Sequence, residues 1–588
     1  MKQHRSVLLA SVMSLVLVAA SCGSDSKSTS DATSASTTPA AETSAAGTDA
    51  PTTTAGASAT TAAAPSGDLL SYDESATCGD AAKNTSNFAK IEAVDPTTVK
   101  FTLCSGDVAF PSKVAFSAFQ IQSSDYLDKT GGAGDILEKP IGTGPYKLKA
   151  WEKGSQIVLE ANNDYWGTKA LSPTAVFKWN GEGAQRLVEL QSGNADGIDN
   201  VGTDDFETVK NDPTLQLVDR DALNVLYLGF NVDMKPFDNE KVRQAIALAL
   251  DRQRLIDNFY PKGSTAATQF LPPGIPGFDK SFTDVTQNIA DAKALLTEAG
   301  FPDGFETTLS LRDVQRGYLP QPVPVATDIQ AQLAEIGIKV TLDVQESGTF
   351  IDNTSAGKVP FYLLGWGADY PDPTNFFDYH FGKGASPQFG KGFADIQDAI
   401  AKGASLVKDD ERAAAYATVN KLLAQHVPMV PLAYGGSALA FKKDVKGAHA
   451  SPLSNEQLSV MGIDGQDQFV FVQNGEPSGL WCADETDGEA LRVCEQIGES
   501  LLAYETGGTK VVPGLAESFT ASADLKEWTF KLRTGVKFHD GTDFDANDVV
   551  KTFRVEWDAK DPYHKGRTGE FVYFSALFGG FLNPPPAG

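Results

Sequence analysis

The chain has 588 residues, too many for one hydrophobic core, and 41% apolar and 10% aromatic residues supply material for two or three folded domains. A formal net charge of −27 and a pI near 4.6 exclude nucleic acid as a partner, because nothing offsets phosphate repulsion.

The first residues read as an export signal. Lys2 and Arg5 form a basic start, and the apolar run Val7 to Ala20 is shorter than the ~20 residues a membrane span needs. The run ends in Val18-Ala19-Ala20-Ser21-Cys22, which resembles a bacterial lipobox with alanine where leucine is usual; lipidation would fall on Cys22. Cleavage near Ala20 by an ordinary signal peptidase is the alternative. Residues 23–66 are almost wholly Ser, Thr, Ala, Gly, Asp and Pro, a composition that cannot bury enough apolar surface to fold, and read as a disordered tether.

Beyond Cys22 the cysteines fall into two neighbouring pairs. In an oxidising compartment these predict Cys78–Cys104 and Cys482–Cys494 disulfides; neither spacing fits a zinc site. Ile91 to Leu103 reads as strand, turn at Asp95-Pro96, strand. Tyr146 to Trp151 and Gln156 to Ala161 form a hairpin through Lys153-Gly154, and Ala184 to Gln191 a short helix closed by Gly193. Asp238 is expected to cap a helix whose Val242, Ala245, Ile246, Ala249 and Leu250 make one apolar stripe. A helix from Thr327 to Ile336 stops at Gly337 and feeds a strand with Ile338, Val340, Leu342 and Val344 inward. Phe361 to Trp366 is an apolar strand opening into Gly367-Ala368-Asp369-Tyr370-Pro371-Asp372-Pro373. Trp528, Phe530 and Leu532 alternate in a strand before His539-Asp540-Gly541. Helix–strand–loop successions of this kind indicate an α/β lobe.

Several blocks then carry a resemblance. Val512-Pro513-Gly514-Leu515-Ala516-Glu517-Ser518-Phe519, Trp528 to Arg533, Gly535 to Gly541 and Asp548-Val549-Val550 resemble the signature of the family 5 extracellular solute-binding proteins, the dipeptide, oligopeptide and nickel binders of ABC importers. Gly142-Thr143-Gly144-Pro145-Tyr146, Asn163-Asp164-Tyr165-Trp166-Gly167, Glu189 to Gly193, Phe237-Asp238-Asn239 with Val242 to Ala245, and Leu364 to Tyr370 resemble further segments. In the family the block like Val512 to Phe553 precedes the one like Ile91 to Leu103; here it comes last, as in a circular permutation that leaves Gly588 near residues 66–87 and joins the family's usual ends through residues 451–467.

The resemblance implies an α/β, periplasmic-binding-protein-like fold of two lobes plus an extra domain. The expected segments are a signal peptide (1–22), the tether (23–66), the extra domain's first part (67–139), lobe I (140–230), lobe II (231–449), lobe I's return (450–480) and the extra domain's second part (481–588). It also implies an extracytoplasmic, lipid-anchored, monomeric carrier serving a membrane permease, without enzymatic activity or cofactor. In peptide-binding members the aspartate at the place of Asp369 binds the peptide's α-ammonium; its other reading is a turn former. Trp366 is a pocket-wall candidate, against a plain core tryptophan, and Tyr370 is a further ligand-binding candidate beside it. Arg312 and Arg316, following a strand, are candidates for a ligand carboxylate, against ordinary surface ion pairing. Asp372 is a helix cap before Pro373, and His539 has a structural role. No histidine spacing suits a metal, and no nucleophile elbow or phosphate loop is present. The rival readings are a family member binding a nickel chelate, haem, oligosaccharide or opine, a surface peptide receptor, and a secreted hydrolase.

Overall fold

The computed structural model describes residues 68–585 apart from Asp284 and Gly384. The export signal, Cys22 and the tether lie outside the described residues.

Three main sheets organise the chain. A five-stranded sheet runs in the order Ser71–Asp73, Phe88–Asp95, Thr98–Leu103, Glu527–Leu532, Ala516–Ala521, so both ends of the sequence build it. Trp528 lies opposite Phe101, and Phe530 opposite Val99. Strand alternation sends Phe88, Phe101, Val99, Phe530 and Leu532 to one face, against Phe553 and Trp557 of the helix Ala546–Trp557 and Phe574 and Phe578 of the helix Val572–Phe578. This terminal domain is pinned by Cys78–Cys104 and Cys482–Cys494, the predicted pairs, with Cα separations of 5.5 and 6.3 Å.

The second sheet has six strands, in the order Thr265–Ala266, Met429–Tyr434, Asn224–Phe230, Phe361–Gly367, Glu306–Arg312, Lys339–Gln345. Its central strand is buried on both faces. Leu226, Leu228 and Phe230 join one apolar cluster, and Val225 and Tyr227 the other. The third sheet has seven strands: Tyr146–Glu152, Gln156–Ala161, Thr174–Trp179, Gln468–Gln473, Gly197–Ile198, Ser437–Lys442, Leu215–Arg220. The chain passes between these two sheets at 221–223 and 435–436, rather than at residues 230 and 449 as the expected lobe limits had it. Both linkers are short continuations from one strand to the next, the form a hinge takes.

Three local expectations are corrected. The helix Glu240–Ala249 is capped by Asn239, whose side chain accepts from Lys241 N at 3.0 Å, not by Asp238. The helix expected from Thr327 begins at Pro322 and runs to Ala334; Pro322 and Pro324 occupy a first turn whose N–H groups have no helical partner to lose. Lys339–Gln345 is an edge strand, and Val344 is 48% exposed because no layer covers it.

Candidate ligand site at the hinge

The strands Glu306–Arg312 and Phe361–Gly367 are parallel, so their carboxyl ends open on the same side of the six-stranded sheet. In open α/β sheets ligands bind at that end. Trp366 and Gly367 lie opposite Val225 and Asn224, at the mouth of the first linker, and Ala368 N donates to Leu223 O at 2.8 Å. Asn224 staples the two linkers together: its Nδ2 donates to Gly435 O at 2.8 Å, and its Oδ1 accepts from Gly435 N at 2.9 Å. A side chain at Gly435 would meet Gly317 O at 2.0 Å, so glycine is required there.

Asp369 therefore sits beside the two linkers. Its Oδ2 accepts from Asn375 Nδ2 and its Oδ1 from Tyr573 Oη, both at 2.9 Å, while its own N–H donates to Asn375 Oδ1 at 3.0 Å. Burial raises the carboxyl to about 6, against the opposing pull of the Asn375 and Tyr573 hydrogen bonds. Asn375 also accepts from Trp366 Nε1 at 3.1 Å, and Trp366 stacks on Tyr379 at 4.2 Å between ring centres. The helix carrying Asn375 and Tyr379, Pro373–Phe381, is started by Asp372, which accepts from Thr374 N at 3.0 Å and pairs with Arg412 at 2.9 Å.

The other candidates divide. Tyr370 is 1% exposed, with its ring in the apolar cluster of the terminal domain and its hydroxyl 3.0 Å from Thr374 Oγ1. It anchors the loop and offers a ligand no surface. Arg312 donates to Ser347 Oγ at 2.9 Å and to Tyr318 Oη at 3.1 Å. Arg316 reaches Glu489 at 3.8 Å, on the helix Gly488–Ile497. His539 accepts from Gly142 N at 3.3 Å and donates to Gly144 O at 3.1 Å; burial lowers it to about 4, so it holds two loops together as a neutral ring.

Sequence reasoning missed Asn375, Tyr379 and Tyr573, and with them a buried ion quartet beside the first linker. Arg220 pairs with Asp199 at 2.8 Å and Glu456 at 2.6 Å; Arg492 pairs with Asp199 at 2.9 Å and Glu456 at 2.8 Å. Burial raises both carboxyls, but the paired arginines outweigh it and hold each below its ordinary range. Four charges from four distant segments give no local sequence signal.

Among the described residues no helix is long and apolar enough to cross a membrane, and no group of three or more His, Cys, Asp or Glu side chains could hold a metal ion.

The family model described as bacterial extracellular solute-binding proteins, family 5 Middle, matches residues 46–388 and 510–573. Di/tripeptide-binding protein 1 of Pseudomonas aeruginosa (strain UCBPP-PA14) is 34% identical over 373 residues, 62% of this chain and 70% of the relative. The dipeptide-binding protein of Escherichia coli (strain K12) is 30% identical over 384 residues, 64% and 72% of the two chains. Among solved structures, the ABC transporter-associated periplasmic binding protein DppA of Helicobacter pylori, in complex with peptide STSA, superposes with a TM-score of 0.57 at 29% identity, covering 64% of this chain and 72% of that one. AgaA of A. tumefaciens R10, in complex with agropinic acid, gives 0.54 at 29% identity, with 61% and 74% covered. By the extent of these matches, the chain belongs to family 5 of the bacterial extracellular solute-binding proteins.

Proposed function

We propose that this protein captures short peptides by their free α-amino group and delivers them to the permease of an ABC importer, working as a monomer outside the cell membrane and tethered there by a lipid on Cys22. The observation that carries the reading is Asp369: a carboxylate placed at the hinge, held by two neutral donors and flanked by the Trp366–Tyr379 stack. A peptide ammonium would supply the positive charge this carboxylate lacks, and a charge-assisted bond in a closing cleft is stronger than a neutral one. Closure about the two linkers would bring the terminal domain onto the ligand, with Tyr573 already reaching Asp369 from that side. The relatives named for di- and tripeptides support the peptide class.

The segment order is part of the same proposal: the family's opening part has moved to the end of this chain. The terminal sheet, built from residues 71–103 and 516–532, supports it. So does the meeting of the described ends, where Asn583 N donates to Lys83 O at 2.6 Å.

A thermal-shift titration with tri- to pentapeptides, beside the same peptides N-acetylated, tests the ligand. A ligand at 100 times its Kd stabilises by about 2.7 kcal/mol. A shift that acetylation abolishes is the expected result. A shift indifferent to acetylation, or none, would sink the amine reading. A second reading, an opine such as agropinic acid, is favoured by the AgaA likeness at the same 29% identity as the peptide-bound neighbour; agropinic acid belongs in the same titration.

A further inference from the structure

Arg312 ends the strand Glu306–Arg312 at the carboxyl side of the six-stranded sheet. Alternation sends Leu309 and Leu311 into one apolar layer, so Ser310 and Arg312 point to the other face. On the neighbouring strand Tyr362, Leu364 and Trp366 occupy that same face. Ser310 stands opposite Tyr362, which puts Arg312 level with Leu364. With strands ~4.8 Å apart and a rise of ~3.3 Å per residue, the Arg312 Cα lies roughly 8 Å from that of Trp366. Burial raises the Tyr227 hydroxyl well above its ordinary range; Tyr318 and Tyr379 add to the rise and Arg312 opposes it. Arg312 and the Trp366–Tyr379 stack therefore border one buried ring.

The guanidinium is held in place without being neutralised. Its two bonds, from Nη1 to Ser347 Oγ and from Nη2 to Tyr318 Oη, go to uncharged oxygens, and among the described residues no carboxylate pairs with it. By contrast, Arg220, Arg254, Arg412, Arg492, Arg554 and Arg567 each pair with a carboxylate at 2.5–2.9 Å. In a chain with 76 acidic residues against 49 Lys and Arg, an arginine partnered by hydroxyls alone stands out. Glu346, beside Ser347, is committed elsewhere: it caps its helix by accepting from Gly348 N and Thr349 N, both at 2.9 Å. Tyr318 is fixed as well. Its carbonyl accepts from Tyr260 Oη at 2.7 Å, and its ring lies on Gly365, where a Cβ would meet it at 2.3 Å. Three of the five guanidinium N–H donors remain without a protein partner, and the side chain is only half-buried, so they are within reach of a ligand.

We propose that Arg312 receives a side-chain carboxylate of the captured peptide, so that the protein favours Asp or Glu at the residue after the amino terminus. The inference rests on the peptide reading above, with the ammonium at Asp369. Each residue added to a peptide carries its terminal carboxylate up to ~3.3–3.6 Å further from that ammonium, whereas the second side chain stays at one distance. An arginine pinned at both ends of its fork serves a group at a fixed distance, and a carboxylate matches that fork with two parallel bonds. Calorimetry of the whole chain at pH 7 with Ala-Glu-Ala and with Ala-Gln-Ala, which has the same shape and no side-chain charge, tests it. The glutamate peptide should bind at least about tenfold more tightly, the scale of a charge-assisted bond. Arg312→Gln should erase the preference, and Arg312→Lys, which keeps the charge and loses the fork, should restore part of it. Equal affinity of the unaltered protein for the two peptides overturns the inference and leaves the peptide reading standing; that comparison needs no variant to fold. A preference that survives Arg312→Gln, or a loss in that variant that is equal for both peptides and absent for their C-terminal amides, also overturns it, the latter by assigning Arg312 to the terminal carboxylate. No binding of either peptide sinks the peptide reading and this inference with it.

Discussion

At Asp369 the site's chemistry reduces to one proton. The folded carboxyl titrates at about 6, above the ordinary value of 3.8, because burial penalises its charge. The sign follows: in the unliganded protein this group favours folding most when protonated, and its contribution falls as pH rises from about 4 to 6. An ammonium ligand reverses the preference by requiring the ionised form. Affinity for a free-amine peptide should be highest near pH 7, fall below 6 toward tenfold per pH unit as Asp369 takes up its proton, and fall again above about pH 8 as the peptide's α-ammonium loses its own. Asp369→Asn should lose about 10²-fold in affinity, the scale of about 2–3 kcal/mol for a charged hydrogen bond. It should also flatten the pH profile and leave the unliganded melting midpoint unchanged or higher. An unaltered affinity in calorimetry would count against the role. Asp369 and Trp366 were legible in the sequence because the motif Leu364 to Tyr370 carries them. Tyr573 was not, since it arrives from a helix 204 residues away and no periodicity announces such a meeting.

Among elements, the ion quartet ties the strand ends at Asp199 and Arg220, the loop at Glu456 and the helix at Arg492 into one rigid block beside the hinge. Its worth appears when it is broken. Arg492→Met leaves two buried carboxylates to share Arg220 alone and should cost about 3–5 kcal/mol in urea unfolding. Arg492→Met combined with Glu456→Gln should cost less than the sum of the two single changes, because each partner's removal relieves the other. Both carboxyls titrate below their ordinary range, so the quartet's contribution is present at neutral pH and lost as pH falls through that range; acid unfolding should start at higher pH in Arg492→Met. The disulfides act at this scale too, and replacing Cys78 and Cys104 by alanine should cost about 3 kcal/mol on the chain-entropy account. Elements with a local signature were readable: the hairpin stands where its Lys153-Gly154 turn put it, the strand from Phe361 where its apolar run put it, and the strand holding Trp528 where alternation put it. Boundaries set by tertiary context were not. Pro322 at a helix start is recognised only once the preceding turn is known, and Val344 reads as inward until the sheet's edge is found.

For the whole molecule, the proposed permutation predicts that the order of segments is separable from the fold they make. The contact of Asn583 with Lys83 and of Leu70 N with Asn547 Oδ1 brings the described ends onto one domain. A rearranged chain in which residues 465–585 precede residues 68–464, so that Cys78 and the strand Ser71–Asp73 are kept, should hold the melting midpoint within about 1 °C, equivalent to about 1 kcal/mol for some 500 residues. A larger drop, or an insoluble product, would show that the present order matters to stability. Removing residues 481–585 instead takes away Glu527–Leu532 and its helix, and should leave the rest insoluble, as fractionation would show. The permuted order of the blocks is read from the resemblance alone, whereas the location of the crossings between the two sheets came from strand pairing.

The strand Thr98–Leu103 must wait for its neighbour. Lys531 grips Thr98 across 433 residues of sequence, so at about 5–20 residues per second of synthesis the earlier strand spends roughly 20–90 s with an open edge before its partner exists. A long-lived open strand edge is an invitation to pair with another chain. The terminal domain is thus the last part of the protein to close, and a ribosome that stops early releases a chain marked by that open edge.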